Sequence, residues 1–234
     1  MTTAAIVVAG GEGTRMGAGV NKVFVKIDGQ SVLERSLDLF DSSAAVSEIV
    51  LVARQSDLSR CEPLRRRFAK LSTIVRGGDL RHRSEFAGLR ALAARIDAAE
   101  IETVLVHDAV RPFASHQLIE RLLAGVGQDI GCIPGLALGR SAALVDDGWI
   151  AGYPRNLWTV QTPQAFQASW LLEAHNKAAR QGFVGTDTAS VVEWAGGTVA
   201  VIEGEPDNIK ITTREDLAMA ERITNRRLGS APGG

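Results

Sequence analysis

Short runs of consecutive apolar residues alternate along the chain with stretches in which apolar positions recur every three to four residues. The apolar runs lie at residues 4–9, 48–53, 72–75, 103–107, 130–134 and 198–202. The helical pattern covers residues 31–41, 57–70, 80–96, 115–125, 168–181 and 187–195, with a last helix from residue 213. Continuous apolar runs are typical of strands that are covered on both faces. The alternation therefore predicts an α/β fold, a Rossmann-like domain with a mostly parallel sheet and helices on both sides.

The regular alternation stops between residues 135 and 161. This segment contains turn residues, with Asp-Asp-Gly at 146–148, and two short strand-like pieces. It predicts an arm or hairpin, about residues 136–160, that projects from a single domain. We expect that domain to span residues 1–226 and the last residues, 227–234, to form a disordered tail.

The composition excludes several classes of protein. The formal net charge of the 234 residues is -1, so no large basic field indicates a nucleic acid or an anionic membrane as partner. No apolar run approaches the roughly 18 residues that a membrane helix needs, and we expect a cytoplasmic protein. The two cysteines, Cys61 and Cys132, lie far apart and form no CxxC pair, which indicates neither a zinc site nor a disulfide framework.

The loop after the first predicted strand has the composition of an anion-binding site. Residues 7–22 read VVAGGEGTRMGAGVNK, in which glycines let backbone N–H groups approach an anion and Arg15 and Lys22 add positive charge. A Rossmann fingerprint fails because Met16 stands at its third glycine, and a Walker loop fails because Lys22 lacks the Gly-Lys-Ser/Thr context. The remaining pattern suits a triphosphate at the carboxyl end of a strand.

Five further segments follow this loop in an order that resembles one family. They are GGDLRHRS (77–84), VHDAVRP (106–112), RNLWTVQTPQAF (155–166), TDTAS (186–190) and DNIKIT (207–212). Together they resemble the 2-C-methyl-D-erythritol 4-phosphate cytidylyltransferase family and its close relatives, the ribitol-5-phosphate cytidylyltransferases. The resemblance covers about residues 4–223. It implies a nucleotidyltransferase domain with a mixed sheet, CTP and a polyol phosphate as substrates, Mg²⁺, and a homodimer in which the arm completes the partner's active site.

The reaction implied by this resemblance is attack of a phosphate oxygen on the α-phosphorus of CTP, with pyrophosphate leaving. Because the nucleophile is already anionic, the site needs alignment and charge neutralisation more than a general base. The resemblance implies Arg15, Lys22 and Lys210 as the catalytic cations, and Asp108 as the carboxylate that holds Mg²⁺ beside the acceptor. We expect the neighbouring His107 to be structural, since no second ligand lies at metal-binding spacing.

The resemblance also divides the other positions between the two substrates. The positions expected at the nucleotide are Ala9, Gly10, Gly11, Gly13, Gly78, Asp79, Arg81, Ser84 and Ala109. The positions expected at the acceptor are Asp108, Arg111, Ser141, Arg155, Thr162 and Thr186. Within these sets Arg81 is expected to fix its own loop, while Gln161 and Gln164 support the loop that carries Thr162.

The departures from the family pattern fall mostly on the acceptor side. An Asp-Thr-x-Lys segment usually begins the arm, and Arg140, Ser141 and Ala143 stand at its three defined places here. The chain after Arg155 is one residue shorter than usual, and Asn21 replaces the usual proline before the catalytic lysine. A different acceptor therefore stays open, either another polyol phosphate such as D-ribitol 5-phosphate or a phosphonate.

Two other classes of protein fit the sequence less well. A CTP-binding protein that does not catalyse would need to lack a phosphate-handling group, yet Arg15, Lys22, Asp108 and Lys210 are all present. A nicotinamide-dependent dehydrogenase would need the missing glycine of the fingerprint and an acid after the second strand. The sequence favours the cytidylyltransferase over both.

Overall fold

The computed structural model describes residues 2–10, 21–139 and 141–229. Its strands are β1 (Thr3–Val8), β2 (Lys26–Ile27), β3 (Gln30–Ser31), β4 (Glu48–Ala53), β5 (Leu71–Arg76), β6 (Thr103–Asp108), β7 (Ile130–Ala137), β8 (Leu144–Asp146), β9 (Trp149–Gly152), β10 (Trp158–Val160), β11 (Gln164–Gln167) and β12 (Thr198–Glu203). Its α-helices are α1 (Val32–Asp41), α2 (Leu58–Cys61), α3 (Arg81–Asp97), α4 (His116–Gly125), α5 (Ala168–Gln181), α6 (Thr188–Trp194) and α7 (Arg214–Gly229). No helix within these described ranges is long and apolar enough to span a membrane.

Eight of the described strands form one sheet in the order β10-β7-β11-β6-β1-β4-β5, with β12 beside β7. β1 pairs in parallel with both β4 and β6, and β4 continues in parallel to β5. β11 runs antiparallel between β6 and β7, and β10 is antiparallel to β7. The predicted α/β fold with a mixed, mostly parallel sheet is confirmed.

Both faces of the sheet are buried, as the continuous apolar runs predict. β1 lies at the centre, and each of its six residues is buried. One face packs against α1 and α4, through side chains such as Leu37 and Leu122, and the other packs against α3, α5 and α6. α3 approaches the sheet closely at Gly88, where a Cβ atom would lie 2.5 Å from Cγ2 of Ile6. This close contact fixes the start of α3 beside the carboxyl edge of the sheet.

The predicted helix over residues 57–70 is wrong. In its place lie a 3₁₀ turn at Gln55–Asp57, the single turn of α2, and a second 3₁₀ segment at Glu62–Arg66. Pro63 lies in the first turn of that second segment. Proline has no N–H to donate and its ring clashes with the preceding turn, so a regular helix does not run through it.

Two of the predicted boundaries also shift. Residues 136–137 belong to β7 and residues 158–160 form β10, so both ends of the predicted arm are strands of the main sheet. The hairpin of β8 and β9 lies between them. Residues 227–229, expected in a disordered tail, continue α7, because Nη2 of Arg227 donates to the carbonyl of Phe113 at 3.0 Å. Residues 230–234 lie outside the described ranges.

Candidate active site

Asp108 ends β6, and its buried carboxylate lies at the centre of a group of charges. Its Oδ1 accepts a hydrogen bond from Nε of Arg81 at 2.8 Å, and its Oδ2 lies 2.8 Å from Nζ of Lys210. Nε of Arg111 is 3.9 Å from the same Oδ2. The backbone N–H of Asp108 donates to Oγ1 of Thr162 at 3.0 Å. Segments distant in sequence therefore meet at one carboxylate. We call the group of Asp108, Arg81, Lys210 and Arg111 the Asp108 cluster.

The cluster keeps Asp108 ionised. Burial tends to raise the pKa of this carboxyl, but the positive charges of Arg81 and Lys210 outweigh burial and hold the pKa well below its usual range. A buried, ionised carboxylate with hard oxygen atoms is a suitable ligand for Mg²⁺. The described residues contain no group of three or more His, Cys, Asp or Glu side chains that could hold a metal.

Arg111 lies in the cluster, but most of its hydrogen bonds go to backbone carbonyl groups. Its Nη1 donates to the carbonyl of Asn208 at 2.9 Å and its Nη2 to that of Val160 at 3.2 Å. The side chain of Asn208 is buried and donates to the carbonyl of Thr162 at 2.9 Å. Arg111 and Asn208 thus tie the loop of Lys210 to the strand end that carries Thr162. The sequence reasoning did not single out Asn208, although it lies inside the DNIKIT segment.

The predicted structural role of His107 is confirmed. The ring is fully buried, with Nδ1 at 3.1 Å from Oγ1 of Thr162 and Nε2 at 3.1 Å from the carbonyl oxygen of Arg111. Burial lowers the pKa of His107 to about 4, so the imidazole is neutral near pH 7. The support expected from Gln161 is also present, since its Nε2 donates to the carbonyl of Glu205 at 2.8 Å.

The predicted nucleotide positions that the structure describes lie near the ends of β1, β5 and β6. Ala9 donates its N–H to the carbonyl of Val52 at 2.7 Å, and Ala109 donates to that of Val8 at 3.0 Å. Oγ of Ser84 lies only 3.0 Å from where a Cβ atom of Gly10 would be. A side chain at Gly10 would therefore need the Ser84 hydroxyl to shift by a few tenths of an ångström.

The other predicted nucleotide residues lie at the start of α3. Oγ of Ser84 donates to the carbonyl of Leu80 at 3.1 Å, which fixes the turn before the helix. Asp79 is exposed and pairs with Arg83 at 2.8 Å. Exposed pairs of this kind are weak, so the Asp79 carboxylate is available to a ligand. A Cβ atom at Gly78 would lie 2.5 Å from Cβ of Arg83, so only glycine fits there without a shift.

Lys22 begins a short 3₁₀ segment, Lys22–Phe24, that Asn21 caps. Oδ1 of Asn21 accepts from the N–H of Val23 at 3.4 Å, and its Nδ2 donates to Oδ2 of Asp57 at 2.8 Å. Asn21 therefore anchors the end of the opening loop. The other predicted positions of that loop, Gly11, Gly13 and Arg15, lie outside the described residues, as does Arg140 of the arm.

The predicted acceptor residues of the arm are not brought to the cluster within one chain. Ser141 and Arg155 are exposed, and neither contacts the Asp108 cluster among the residues that the structure describes. Thr186 is exposed at the entry to α6, where its N–H donates to Oγ of Ser190 at 3.0 Å. Of the predicted acceptor set, the described structure brings Asp108, Arg111 and Thr162 together.

One charged residue at this site was missed by the sequence reasoning. Glu85 is fully buried on α3 and forms an ion pair with Nη1 of Arg81. An arginine and a glutamate four residues apart on a helix are typical of a solvated surface pair, so the sequence carries no signal that this pair points inward.

Solved structures from bacteria share this fold, and two of them match this chain over most of its length. The synthase of 4-diphosphocytidyl-2C-methyl-D-erythritol from Anaerococcus prevotii superposes with a TM-score of 0.82 at 30% identity, covering 96% of both chains. The 2-C-methyl-D-erythritol 4-phosphate cytidylyltransferase of Thermus thermophilus gives a TM-score of 0.74 at 29% identity, over 96% of this chain and 100% of that one. The mixed sheet and the cations at its carboxyl edge thus define the chain as an α/β nucleotidyltransferase.

Sequence comparison identifies the family. The profile described as IspD, 2-C-methyl-D-erythritol 4-phosphate cytidylyltransferase, matches residues 3–226. The enzyme of that name from Bacillus licheniformis is 40% identical over 93% of this chain and 94% of its own length. The one from Geobacillus kaustophilus is 38% identical over 97% of this chain and 99% of its own. The chain belongs to the IspD family.

Proposed function

We propose that this chain transfers the CMP part of CTP to the phosphate of 2-C-methyl-D-erythritol 4-phosphate and releases pyrophosphate. The observation that carries the proposal is the pairing of the ionised Asp108 with Arg81 and Lys210 at the carboxyl edge of the sheet. That arrangement supplies cations and a metal ligand, which the reaction needs, in a chain of the IspD family. The product is a precursor for isoprenoid synthesis by the non-mevalonate route.

The residues on the nucleotide side hold CTP and neutralise its charge. Lys22 and Lys210 face the phosphates from two different segments, and Arg15 is assigned to them from the sequence. The Lys210 side chain is 42% exposed, so it can leave Asp108 and bind a phosphate oxygen that arrives from solvent. Positive groups placed in advance at the α-phosphorus stabilise the charge that accumulates as pyrophosphate leaves.

The remaining nucleotide positions are assigned to the base and ribose. Gly10 and Gly78 bring backbone groups close, and Ser84 lies between them with its hydroxyl near the edge of the sheet. Hydrogen-bonding groups fixed in this way select cytosine, because uracil would leave some of them unpaired. The same assignment covers Ala9, Asp79 and Ala109. Gly11 and Gly13 are assigned to the triphosphate, and Arg81 to fixing the loop before α3.

Mg²⁺ is the metal that we assign to Asp108. When bound, it supplies a positive charge that reduces the repulsion between the two phosphates. Asp108 would hold the ion through a carboxylate oxygen, and Lys210, the exposed cation of the cluster, would then bind a phosphate oxygen.

We further propose that the protein acts as a homodimer joined by the arm. The β8–β9 hairpin exposes large apolar side chains, with Trp149 79% exposed. Exposed apolar groups of this size are typical of a surface that a partner covers. Ser141 and Arg155 would then reach the Asp108 cluster of the second subunit and, with Arg111, Thr162 and Thr186, bind the acceptor. No nucleic acid or membrane is part of this proposal.

Localisation in the cytoplasm is proposed from the cysteines. Cys61 and Cys132 are both buried free thiols. Unpaired thiols persist in reducing compartments.

An assay with several acceptors tests the proposed function. Pyrophosphate release is measured with CTP and Mg²⁺ in the presence of 2-C-methyl-D-erythritol 4-phosphate, of D-ribitol 5-phosphate, or of no acceptor. We expect turnover with the first and little with the others. Turnover with D-ribitol 5-phosphate alone would overturn the assignment of the acceptor. The assignment as a CTP-dependent cytidylyltransferase would remain.

A further inference from the structure

A second carboxylate lies behind Asp108, on the far side of Arg81. Glu85 is on α3, one helical turn after Arg81, and its side chain is fully buried. It is held from three sides. Arg81 forms an ion pair with it through Nη1, Oγ1 of Thr188 donates to its Oε2 at 3.0 Å, and Nε2 of His175 lies 3.7 Å from the same oxygen.

Arg81 is shared between the two carboxylates. Its Nε donates to Oδ1 of Asp108 at 2.8 Å, while Nη1 pairs with Glu85. A guanidinium is rigid and planar, so fixing two of its nitrogens fixes the plane of the whole group. The third nitrogen, Nη2, is buried and has no hydrogen-bond partner within the described part of the chain. The N–H donors of Nη2 are therefore left for a group that the described residues do not supply.

Burying the charged carboxylate of Glu85 costs free energy of folding. A contribution to stability therefore does not explain why a glutamate lies there. Burial raises the pKa of Glu85 to about 7, against the lowering effects of Arg81 and of the Thr188 hydroxyl. The negative charges of Asp108 and Asp187 also raise it, and the facing ring of His175 is neutral because burial lowers its pKa to about 3. Buried ion pairs seldom stabilise a protein more than a well-packed apolar group would.

We propose that Glu85 is a positioning residue for CTP binding: it holds Arg81, and through Arg81 it fixes Asp108 and the start of α3. This inference rests on the proposed function, because the turn before α3 and the first turn of the helix carry Gly78, Asp79 and Ser84, which are assigned to the nucleotide. Glu85 does not touch the substrate. Without the Glu85 carboxylate, Asp108 is the carboxylate that remains paired with Arg81 among the described residues, and the guanidinium is then free to turn about its bond to Asp108.

The test compares Glu85→Gln with a matched control, Glu100→Gln. Both glutamates pair with an arginine of α3, but Glu100 is exposed and pairs with Arg95 at the other end of the helix, at 2.9 Å. The affinity for CTP with Mg²⁺ is measured by titration calorimetry at pH 8.5 and at pH 6, and the melting temperature is recorded for each variant. Turnover with 2-C-methyl-D-erythritol 4-phosphate is measured in parallel.

The positioning role predicts a pH-dependent loss in one variant alone. At pH 8.5 Glu85 is ionised, and Glu85→Gln should bind CTP about tenfold more weakly than the wild type, the size expected for losing a charge-assisted contact. At pH 6 the wild-type carboxyl is protonated, so the ratio of the two affinities should approach one. Titration of CTP itself cancels in this ratio. Glu100→Gln should bind like the wild type at both pH values.

The outcomes separate this inference from the proposed function. Equal CTP affinity of Glu85→Gln and the wild type at pH 8.5, or a loss of the same size at both pH values, would overturn the positioning role and leave Glu85 as a structural partner of Arg81. A wild type that binds CTP but releases no pyrophosphate with any acceptor would overturn the proposed function. The affinity ratio would still decide the role of Glu85 in that case.

Discussion

The ammonium group of Lys210 lies 2.8 Å from Oδ2 of Asp108 and joins the loop before α7 to the end of β6. Asp108 is buried, whereas the Lys210 side chain is 42% exposed. The pair therefore has one fixed member and one member that faces the solvent. We interpret Lys210 as the cation that exchanges the carboxylate for a phosphate when CTP binds.

Replacement of Lys210 by methionine should lower kcat by about a hundredfold, the size typical of losing one charge-stabilising group. The fold should persist, because Asp108 keeps Arg81 as a partner. Steady-state kinetics and a melting curve check this, with Lys26→Met as a control at an exposed position. A kcat within a fewfold of the wild type would remove Lys210 from the chemistry.

Asn21 should matter through the geometry of Lys22. Its φ of -61° is one that proline also adopts, and its side chain caps the segment that Lys22 begins. Asn21→Gly, which loses both the cap and the fixed backbone, should reduce kcat several-fold more than Asn21→Pro, which keeps the backbone. The two variants are compared at saturating CTP. Equal activities would show that the position of Lys22 does not depend on residue 21.

His175 should make the fold sensitive to acid. Burial lowers its pKa from 6.5 to about 3, so the unfolded chain binds a proton that the folded chain excludes. The stability is fully present above pH 6.5 and is lost as pH falls toward the folded pKa. Between pH 7 and pH 5 the loss from this group is on the order of 2 kcal/mol.

His175→Phe keeps an aromatic ring between His82 and Phe86 but cannot titrate. Its free energy of unfolding, measured with urea, should therefore fall by about 2 kcal/mol less than that of the wild type over the same pH range. The comparison is made between the two proteins because Glu85, with its raised pKa, acts in the opposite sense. Parallel pH curves would show that His175 does not carry this effect.

Arg155 should act on the acceptor of the second subunit. Arg155→Ala should raise the KM for 2-C-methyl-D-erythritol 4-phosphate by about tenfold or more and leave the KM for CTP unchanged, because one phosphate contact is lost. A change confined to CTP would contradict the placement of the arm.

Co-expression of Arg155→Ala with Lys210→Met tests whether the arm crosses between subunits. A mixed dimer with crossing arms has one intact site, so random mixing should restore about one quarter of the wild-type sites. An arm that serves its own subunit would restore none. The purified mixture is assayed beside each parent variant at subsaturating acceptor.

The sequence predicted the fold better than it predicted the charge network. The strand predicted at residues 48–53 has the same bounds in the structure, because its apolar run and its flanking turns indicate the same ends. The prediction of a helix over residues 57–70 is wrong because it rests on apolar spacing alone, which does not register the break at Pro63. β10 and β11 were missed as strands of the main sheet, since short strands carry too few residues to show a period.

At the candidate site, local motifs single out Asp108, Lys210 and Ser84 but give no sign of the contacts that support them. The pairing of Arg81 with Glu85 and Asp108 depends on how α3 lies against β1 and β6, which no short segment encodes. The same holds for Asn208, whose buried side chain binds a strand end that is distant in sequence. Such contacts follow from tertiary packing and become visible only in three dimensions.

The most direct test of the central claim follows the α-phosphate of CTP. Wild-type protein is incubated with Mg²⁺, 2-C-methyl-D-erythritol 4-phosphate and CTP labelled at the α-phosphorus, and the products are separated by chromatography and weighed by mass spectrometry. The account predicts that the label moves into a cytidine diphosphate ester of the polyol, in amounts equal to the pyrophosphate released. Label that stays in CTP, or that appears as free CMP whether or not the acceptor is present, would contradict it.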